Sequence, residues 1–504
     1  MLARKSLLLF IVNMAGSFLG FLSTIVIARW MGVEALGTVG YLLGLLGLLA
    51  VCLDMGLAFA HLKRVSETRE DPAALIGTFL ALKIVLVLVF LIATMLLPFV
   101  KGHLGQPLFE NRNERYAYYI IAAFYILHSL SSVFLFTFEA RLETAKQSIV
   151  AFAGSLLSFL AKVVVAILGL GVVALSSAYA IESLVLLISA LLLFGGYRIT
   201  RPRREHLASY IRYTLPLTLN TAITMVIANV NPVLVRTFWT NAEVGYYTSV
   251  LGFGIVLDRV ASTVMALFFP QASSDAARGD WEEIRRRLFV IEHYVLTVLV
   301  PLGVALIFFS DEIVVTTLGA EFMPATPILI CLAVNSILSA IFQPYNTVLY
   351  AIEKQSYLVI SNLLGLLTLL FVNALLVPRQ MWGLSLAGLR GTGAAIALIA
   401  MTIAGGTVQV KVVSQYAGIG LYWKAMWYLL AGGIMYLVMQ TGSKLIPMPI
   451  WKAVPVLTAL GLGTYLVTLT LAGQFTRADA QVFLNMLHPH KMMEYISTEL
   501  DKHK

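Results

Sequence analysis

The chain has 504 residues, of which 59% are hydrophobic and only 12% are charged. Soluble domains carry about 25% charged residues, so this composition, with a mean hydropathy of +0.87, excludes a soluble enzyme, a fibrous protein and a disordered chain. The sequence therefore predicts a polytopic membrane protein, and its net charge of +9 is interpreted in that context. Its two cysteines, Cys52 and Cys331, lie in separate apolar runs and offer neither a disulfide framework nor a zinc motif.

Fourteen apolar runs are long enough to cross a bilayer, which requires about 20 residues. The predicted fold is therefore an all-α polytopic membrane protein with about 14 transmembrane helices. The predicted spans are 6–28, 36–59, 76–100, 116–138, 147–169, 171–196, 210–235, 243–269, 288–309, 324–349, 357–377, 391–410, 421–442 and 453–473.

The distribution of Lys and Arg orients these spans. With the N-terminus inside, the cytoplasmic segments hold 23 of these residues and the external loops hold 9, while Lys83, Lys162 and Arg259 fall within spans. Because cytoplasmic loops are enriched in positive residues, both termini are predicted to be cytoplasmic. The densest clusters, in 198–204 and 285–287, are interpreted as anchors facing anionic lipid head groups, so the charge does not require a nucleic-acid partner.

Short sequence matches recur at an offset of 207 or 208 residues, which indicates an internal repeat. Each repeat holds six spans, an even number, so both repeats run in the same direction. Their pseudo-twofold axis then lies along the membrane normal and creates a cleft between them. The matched pairs are Lys146-Gln147-Ser148 with Lys354-Gln355-Ser356, Gly37 with Gly245, Arg29 with Arg236, and Asn13 with Asn220.

The repeat predicts how the chain is divided. Residues 1–196 form an N-terminal six-helix lobe, 197–209 a basic cytoplasmic linker and 210–413 a C-terminal six-helix lobe. Residues 414–473 add a helix pair, and 474–504 form a cytoplasmic tail. This tail is either an interfacial helix or a solvated segment.

Two short motifs carry a family resemblance. The first span ends in Ile25-Val26-Ile27-Ala28-Arg29 and is followed by Gly32, Glu34 and Gly37, with Asp54-Met55-Gly56 near the cytoplasmic end of the second span. This pattern resembles the first-span signature of polysaccharide-type, O-antigen-like flippases. The layout of six, six and two spans resembles the multidrug/oligosaccharidyl-lipid/polysaccharide exporter superfamily over nearly the whole chain. The resemblance implies a MATE-like fold and movement of polyprenyl-diphosphate-linked oligosaccharides across the cytoplasmic membrane.

A diphosphate substrate requires cations inside the cleft. Lys83 and Arg259 are predicted to face it, since a charge several turns from a helix end is costly in lipid. Lys162 either faces the cleft or extends to the nearby interface. Arg29 and Arg236, at the outer span ends, suit interface anchors, and the resemblance also makes Arg29 a cleft candidate.

The seventh span supplies most of the polar cleft candidates. Asn220, Asn229 and Asn231 lie on it, and Asn13 and Ser17 lie on the first span. These side chains predict either a wet cleft or hydrogen bonds between packed helices.

Three embedded acids are candidates for ion coupling, namely Glu182, Asp54 and Asp258. Glu182 lies near the centre of the sixth span, and His128 is similarly central in the fourth. Buried carboxyl groups suit proton carriers. The alternative for Glu182 is a neutral side chain that is hydrogen-bonded to a neighbouring helix.

The sequence has no Walker-type nucleotide motif, dinucleotide fingerprint or metal-ligand pattern, so neither a cofactor nor a metal is expected. A membrane polymerase or ligase would need a large external domain, and the longest predicted outer loop, 101–115, is too short for one. The expected partners are the lipid-linked oligosaccharide, membrane lipids and a glycan polymerase or glycosyltransferases.

Two alternatives stay open. One is an ion-coupled multidrug efflux pump of the same superfamily, and the other is a flippase for a peptidoglycan lipid precursor. Three embedded bases against three embedded acids favour an anionic substrate only slightly.

Overall fold

The computed structural model describes residues 2–67, 72–103, 108–445 and 449–487. In these ranges the chain forms seventeen α-helices, a 3-10 helix at Ala320–Ala325 and a small antiparallel ribbon of β1 (Gln380–Met381) and β2 (Leu384–Ser385). The helices are α1 (Leu2–Leu49), α2 (Val51–Asp54), α3 (Leu57–Glu67), α4 (Ala73–His103), α5 (Arg112–Ala140), α6 (Thr144–Ile167), α7 (Gly171–Leu193), α8 (Arg204–Phe238), α9 (Asn241–Arg278), α10 (Trp281–Phe308), α11 (Ser310–Thr317), α12 (Thr326–Ala351), α13 (Gln355–Leu376), α14 (Arg390–Ala417), α15 (Ala425–Leu445), α16 (Ile450–Leu471) and α17 (Arg477–Leu487).

Twelve helices of the described chain are long and apolar enough to cross a membrane, and the fold is all-α, as predicted. Two places account for the difference from fourteen spans. The first long helix, α1, bends at Gly32, whose φ of 77° suits a residue without a side chain, and so contains the first and much of the second predicted span. The other is α15, which covers the predicted span 421–442 but is not among the twelve.

The predicted second span, 36–59, is wrong at its C-terminal end. The long helix stops at Leu49, and the short helix after it ends in left-handed backbone at Met55 and Gly56. The carboxylate of Asp54 accepts a hydrogen bond from the Gly56 amide at 3.2 Å, which stabilises this turn. The break therefore places Asp54 at an irregular segment.

The predicted linker is also shorter than expected, because α8 begins at Arg204. Local signals explain other helix ends. The Asn111 side chain accepts from the Glu114 amide at 2.8 Å and starts α5, and Asp280 starts α10 in the same way. Gly279, with φ of 72°, ends α9.

Residues 2–193 are called the N-half below, and residues 204–417 the C-half. In the N-half, α7 packs against α5 and α6; in the C-half, α12 packs against α9 and α14. The terminal pair α15 and α16 adds to the C-half through α10, where the Tyr465 hydroxyl donates to the Leu296 carbonyl at 3.0 Å.

The two halves approach each other most closely where α1 beyond Gly32 crosses the start of α9. A Cβ on Gly37 would overlap the carbonyl oxygen of Asn241, and a Cβ on Gly245 would overlap that of Val33. The contacts are reciprocal: positions 33 and 241, like 37 and 245, are 208 residues apart. Close backbone approach at small residues is typical of packed membrane helices.

Candidate functional site

A cavity between the halves contains one of the predicted cations. This basic cavity, of about 300 Å³, is lined by Arg259 from α9 of the C-half. Asn13 and Ser17 of α1 and Ser155 of α6 line it from the N-half. Among the described residues no carboxylate forms an ion pair with Arg259, whose side chain is exposed. The cavity therefore offers an uncompensated guanidinium and polar side chains.

The next residue along α9 lines a different cavity. Asp258 faces a space of about 310 Å³ inside the C-half. We call this space the amide cavity, because its polar wall is dominated by Gln343, Asn346, Asn362 and Gln409. Consecutive side chains on an α-helix point about 100° apart, which explains why Asp258 and Arg259 do not meet.

Lys83 is placed differently from the prediction. Its side chain is only 2% exposed, and its amine lies 2.7 Å from an oxygen of Asp54 and 3.0 Å from the Leu53 carbonyl oxygen. An unpaired charge inside the protein is very costly, so the lysine is held by the acid at the helix break. Lys83 lies within the N-half rather than in the cleft, and Asp54 is its partner.

Lys162 is also paired. Its amine lies 3.7 Å from an oxygen of Glu182 and 3.7 Å above the ring of Tyr179. The lysine is buried, while the Glu182 side chain is 28% exposed. Of the two alternatives for Lys162, its burial excludes extension to the interface, and the embedded acid has a cationic neighbour.

The asparagines of α8 are divided between two roles. The Asn220 oxygen accepts from the Asn362 amide at 3.1 Å, and that of Asn231 accepts from Asn373 at 3.1 Å. The buried Asn231 also donates to the Tyr247 hydroxyl at 2.9 Å. Asn231 and Asn220 therefore join helices of the C-half, which was the alternative to a cleft position.

Asn229 is the residue of this group that faces the other half. It lines a third cavity, of about 230 Å³, together with Tyr179 of α7 and Gly44 of α1. Its side-chain oxygen lies against Gly47, where a Cβ would overlap it. Asn229 thus lines a cavity between the halves.

The two repeat-related arginines both cross between the halves. Arg29 of the N-half donates to backbone carbonyls at the end of α11, including that of Thr317 at 2.8 Å. Arg236 of the C-half forms an ion pair with Glu110 of the N-half. A cation at a helix C-terminus is favourable, because the last carbonyls have no partner within the helix. We call these two contacts the arginine contacts.

The arginine contacts share the symmetry of the repeat. Positions 29 and 236 are 207 residues apart, and so are 110 and 317. Close by, a carboxylate oxygen of Glu321 accepts from the Val33 amide at 3.5 Å, at the start of the helix that follows the bend. Both halves are therefore tied to each other at the end that the sequence predicts to be external.

Sequence reasoning missed the partners in these contacts and one buried acid. Glu110 and Glu321 lie in loops or at helix ends, and only the 207-residue offset from Thr317 could have indicated Glu110. Glu292 is 0% exposed and lies beside Tyr345 in the C-half. Its position inside the predicted span 288–309 was the available signal.

The start of the predicted tail is helical and attached to the C-half. Asp479 of α17 lies 3.2 Å from an imidazole nitrogen of His293 on α10. Burial raises the pKa of Asp479, but hydrogen bonds from Thr476 and the nearby His293 outweigh it and lower that pKa below its usual value. Residues 488–504 of the tail lie outside the described residues. No group of three His, Cys, Asp or Glu side chains in the described ranges could hold a metal ion.

Comparisons with known proteins agree with this architecture. The chain is 24% identical over 458 residues to the probable low-salt glycan biosynthesis flippase Agl15 of Haloferax volcanii, covering 86% of this chain and 89% of that protein. The fold is similar to that of the lipid II flippase MurJ in an inward closed conformation, with a TM-score of 0.74, 15% identity and coverage of 92% of this chain and 98% of MurJ. An inward-facing MATE family multidrug resistance transporter has a TM-score of 0.64 at 16% identity, over 81% of this chain and 98% of that one.

These structural similarities establish the MATE-like fold of a multi-pass membrane protein. A family model described as "Polysaccharide biosynthesis protein" matches residues 26–327, which is more than half of the chain. The match includes the bend at Gly32, both arginine contacts and the cavity residues Asp258 and Arg259. The chain therefore belongs to the polysaccharide biosynthesis protein family.

Proposed function

We propose that the protein is a flippase that moves a polyprenyl-diphosphate-linked oligosaccharide across the cytoplasmic membrane, for the synthesis of a surface polysaccharide or glycan. Its family and the flippase named among its relatives support this class of function. The protein acts as a transporter rather than an enzyme. It works beside the glycosyltransferases and the polymerase that build and extend the glycan.

The observation that carries the proposal is the unpaired Arg259 in the basic cavity. Lys83 and Lys162 are neutralised by acids inside the N-half, so Arg259 is the embedded cation that is available to a ligand. A guanidinium grips phosphate oxygens through parallel hydrogen bonds. Asn13, Ser17 and Ser155 can donate to the remaining oxygens of a diphosphate.

The arginine contacts and the close backbone contacts at Gly37 and Gly245 are the interactions that change during transport. They close one end of the cleft, and alternating access requires that they open while the halves close at the other end. At that other end the Thr218 hydroxyl of α8 already donates to the Met55 carbonyl at 2.9 Å. Transport is proposed to follow an ion gradient or the membrane potential, with Glu182 or Asp258 as the coupling acid.

The proposed orientation places both termini and the linker in the cytoplasm. Tags at the two termini and in 198–206 should then report the cytoplasm, and a tag in 101–115 should report the exterior. An external signal from the linker would contradict both the parallel repeat and the cleft that depends on it.

The substrate charge is tested by substitution of Arg259. A pair of unit charges about 4 Å apart is worth about 4 kcal/mol at an effective dielectric of about 20, before desolvation. If about 2 kcal/mol of this attraction remains after desolvation, Arg259→Gln reduces transport about 30-fold. Arg259→Lys retains more activity than Arg259→Gln because it keeps the charge, although lysine lacks the parallel N–H donors of the guanidinium.

The measurement is complementation of a flippase-deficient strain, with protein levels in the membrane checked for each variant. Arg212→Gln, at an exposed arginine of α8, is the matched control and should transport normally. Full complementation by Arg259→Gln would contradict the anionic-substrate proposal.

One observation favours a second function, the efflux of cationic drugs. Asp258 lies with Phe342 and Met401 in the amide cavity, and an acid beside apolar groups suits an organic cation. In that case Asp258→Asn would abolish drug resistance, while Arg259→Gln would have no effect. A peptidoglycan-precursor flippase would instead complement a strain that lacks the lipid II flippase.

A further inference from the structure

We infer that the amide cavity is the subsite for the first sugar of the substrate, and that this sugar is uncharged. The inference rests on the proposed function, since it assigns the part of the molecule that follows the diphosphate. It concerns a cavity that is separate from the one containing Arg259.

The lining has the chemistry that a neutral sugar requires. A carboxamide presents two donors and an acceptor oxygen, and a sugar presents hydroxyls that both donate and accept. Within the described chain, the side chains of Gln343 and Asn346 form no hydrogen bond, so their amides are available to a ligand. Ser339 adds a hydroxyl to the same wall.

Close packing of α12, α13 and α14 shapes the rest of the cavity. A Cβ on Gly406 of α14 would overlap the ring of Phe342, so the ring packs directly on the backbone of that helix. Gly365 likewise lies against Met401. The ring and the thioether provide an apolar surface beside the amides, which matches the C–H face of a pyranose. The volume of about 310 Å³ is at the lower end of the usual range for small-molecule sites.

The position of the cavity relative to Arg259 sets the order of the groups. Asp258 and Arg259 have Cα atoms about 3.8 Å apart, and one lines each cavity. Because neighbouring residues of α9 line the two cavities, we assign the amide cavity to the sugar that follows a diphosphate held by Arg259. The carboxylate repels phosphate and a uronic acid, but it accepts hydrogen bonds from hydroxyls.

The test measures binding to the purified full-length protein in lipid nanodiscs. The probes are bare undecaprenyl diphosphate and the same lipid carrying one hexose, one N-acetylhexosamine or one hexuronate. We expect at least one neutral sugar to improve the dissociation constant about 10-fold over the bare lipid, and the hexuronate to give no gain.

Variants then test which residues produce the gain in affinity for the neutral sugar. Gln343→Ala with Asn346→Ala, and separately Ser339→Leu, which fills the cavity, should remove the 10-fold gain and leave binding of the bare lipid unchanged. Gln440→Ala on α15 is the matched control for loss of an amide and should retain the gain. Arg259→Gln should weaken the binding of every probe by the same factor.

The outcomes separate this inference from the proposed function. If the wild type binds the bare lipid but gains nothing from a neutral sugar, the subsite is wrong and the flippase proposal stands. A gain that survives both cavity variants, or that is largest for the hexuronate, also overturns it. If the wild type binds none of the lipids, the proposed function itself fails. Melting temperatures of the variants identify any loss caused by misfolding.

Discussion

The interiors of the two halves differ in chemistry although their helices are related by the repeat. The N-half holds two buried lysines in ion pairs, Lys83 with Asp54 and Lys162 with Glu182. The C-half places pairs of asparagines between α8 and α13, at positions where no charge is involved. The repeat therefore preserves the helix layout and the contacts between halves, while the polar groups inside each half have diverged.

This difference determines which charges remain available. In the N-half the two embedded lysines, Lys83 and Lys162, are each matched by an acid, whereas Arg259 and Asp258 of the C-half face separate cavities. The C-half can therefore supply both the cation and the acid for a ligand. The N-half supplies polar groups from α1 and α6 instead.

The largest effect on stability is expected at the ion pair of the N-half. Asp54→Leu leaves the amine of Lys83 buried with only a carbonyl partner, which should lower the free energy of unfolding by about 3–5 kcal/mol. The double variant Asp54→Leu with Lys83→Met removes both charges and should regain most of that loss. Thermal unfolding in detergent measures both. Equal losses in the single and double variants would show that the pair itself is not what stabilises this site.

A smaller loss is expected at the neutral pair of the C-half. Asn373→Ala leaves the buried oxygen of Asn231 without its donor, which should cost about 1–3 kcal/mol. Asn362→Ala breaks the more exposed pair with Asn220 and serves as the matched comparison, with a smaller loss. Equal destabilisation by Asn373→Ala and Asp54→Leu would show that the asparagine pairs of the C-half and the ion pairs of the N-half do not differ in energy.

The smallest effect on stability is expected at Glu182, because its side chain is partly exposed and lies 3.7 Å from Lys162. The carbonyl oxygen of Gln still accepts from the buried amine of Lys162, which also lies over the Tyr179 ring, so Glu182→Gln should lower stability by only about 1 kcal/mol. If Glu182 carries the coupled proton, the variant loses the dependence of transport on external pH, since Gln mimics the protonated form. Normal transport by Glu182→Gln at every external pH would remove Glu182 as the carrier and leave the role of Arg259 intact.

The fold was predictable because a bilayer permits few solutions. A spanning segment must satisfy its backbone groups internally, so each long apolar run becomes a helix. The matched pairs in the sequence also identified Gly37 and Gly245, which form the reciprocal contact between halves. The break near Gly56 was not predicted, because the apolar run continues through it.

The site was predictable only in part. Sequence reasoning selected Arg259 and Asn229 as cleft candidates because each is a polar residue within an apolar span. It misplaced Lys83, because its partner Asp54 lies 29 residues away on an irregular turn. Hydropathy carries no information on which helix faces which, so pairing between distant residues could not be inferred.

The symmetry of the arginine contacts has a kinetic consequence. Under the proposed alternating access the halves move as units, so opening of this end of the cleft requires both contacts to break. Their contributions to the barrier then add, and their effects on the opening rate multiply. The pair formed by Arg236 and Glu110 is partly exposed and is weakened by salt, whereas Arg29 binds neutral carbonyls. Under the proposed mechanism, ionic strength on the side of the membrane where these contacts lie would therefore change the lifetime of the closed cleft through one of the two repeat-related contacts.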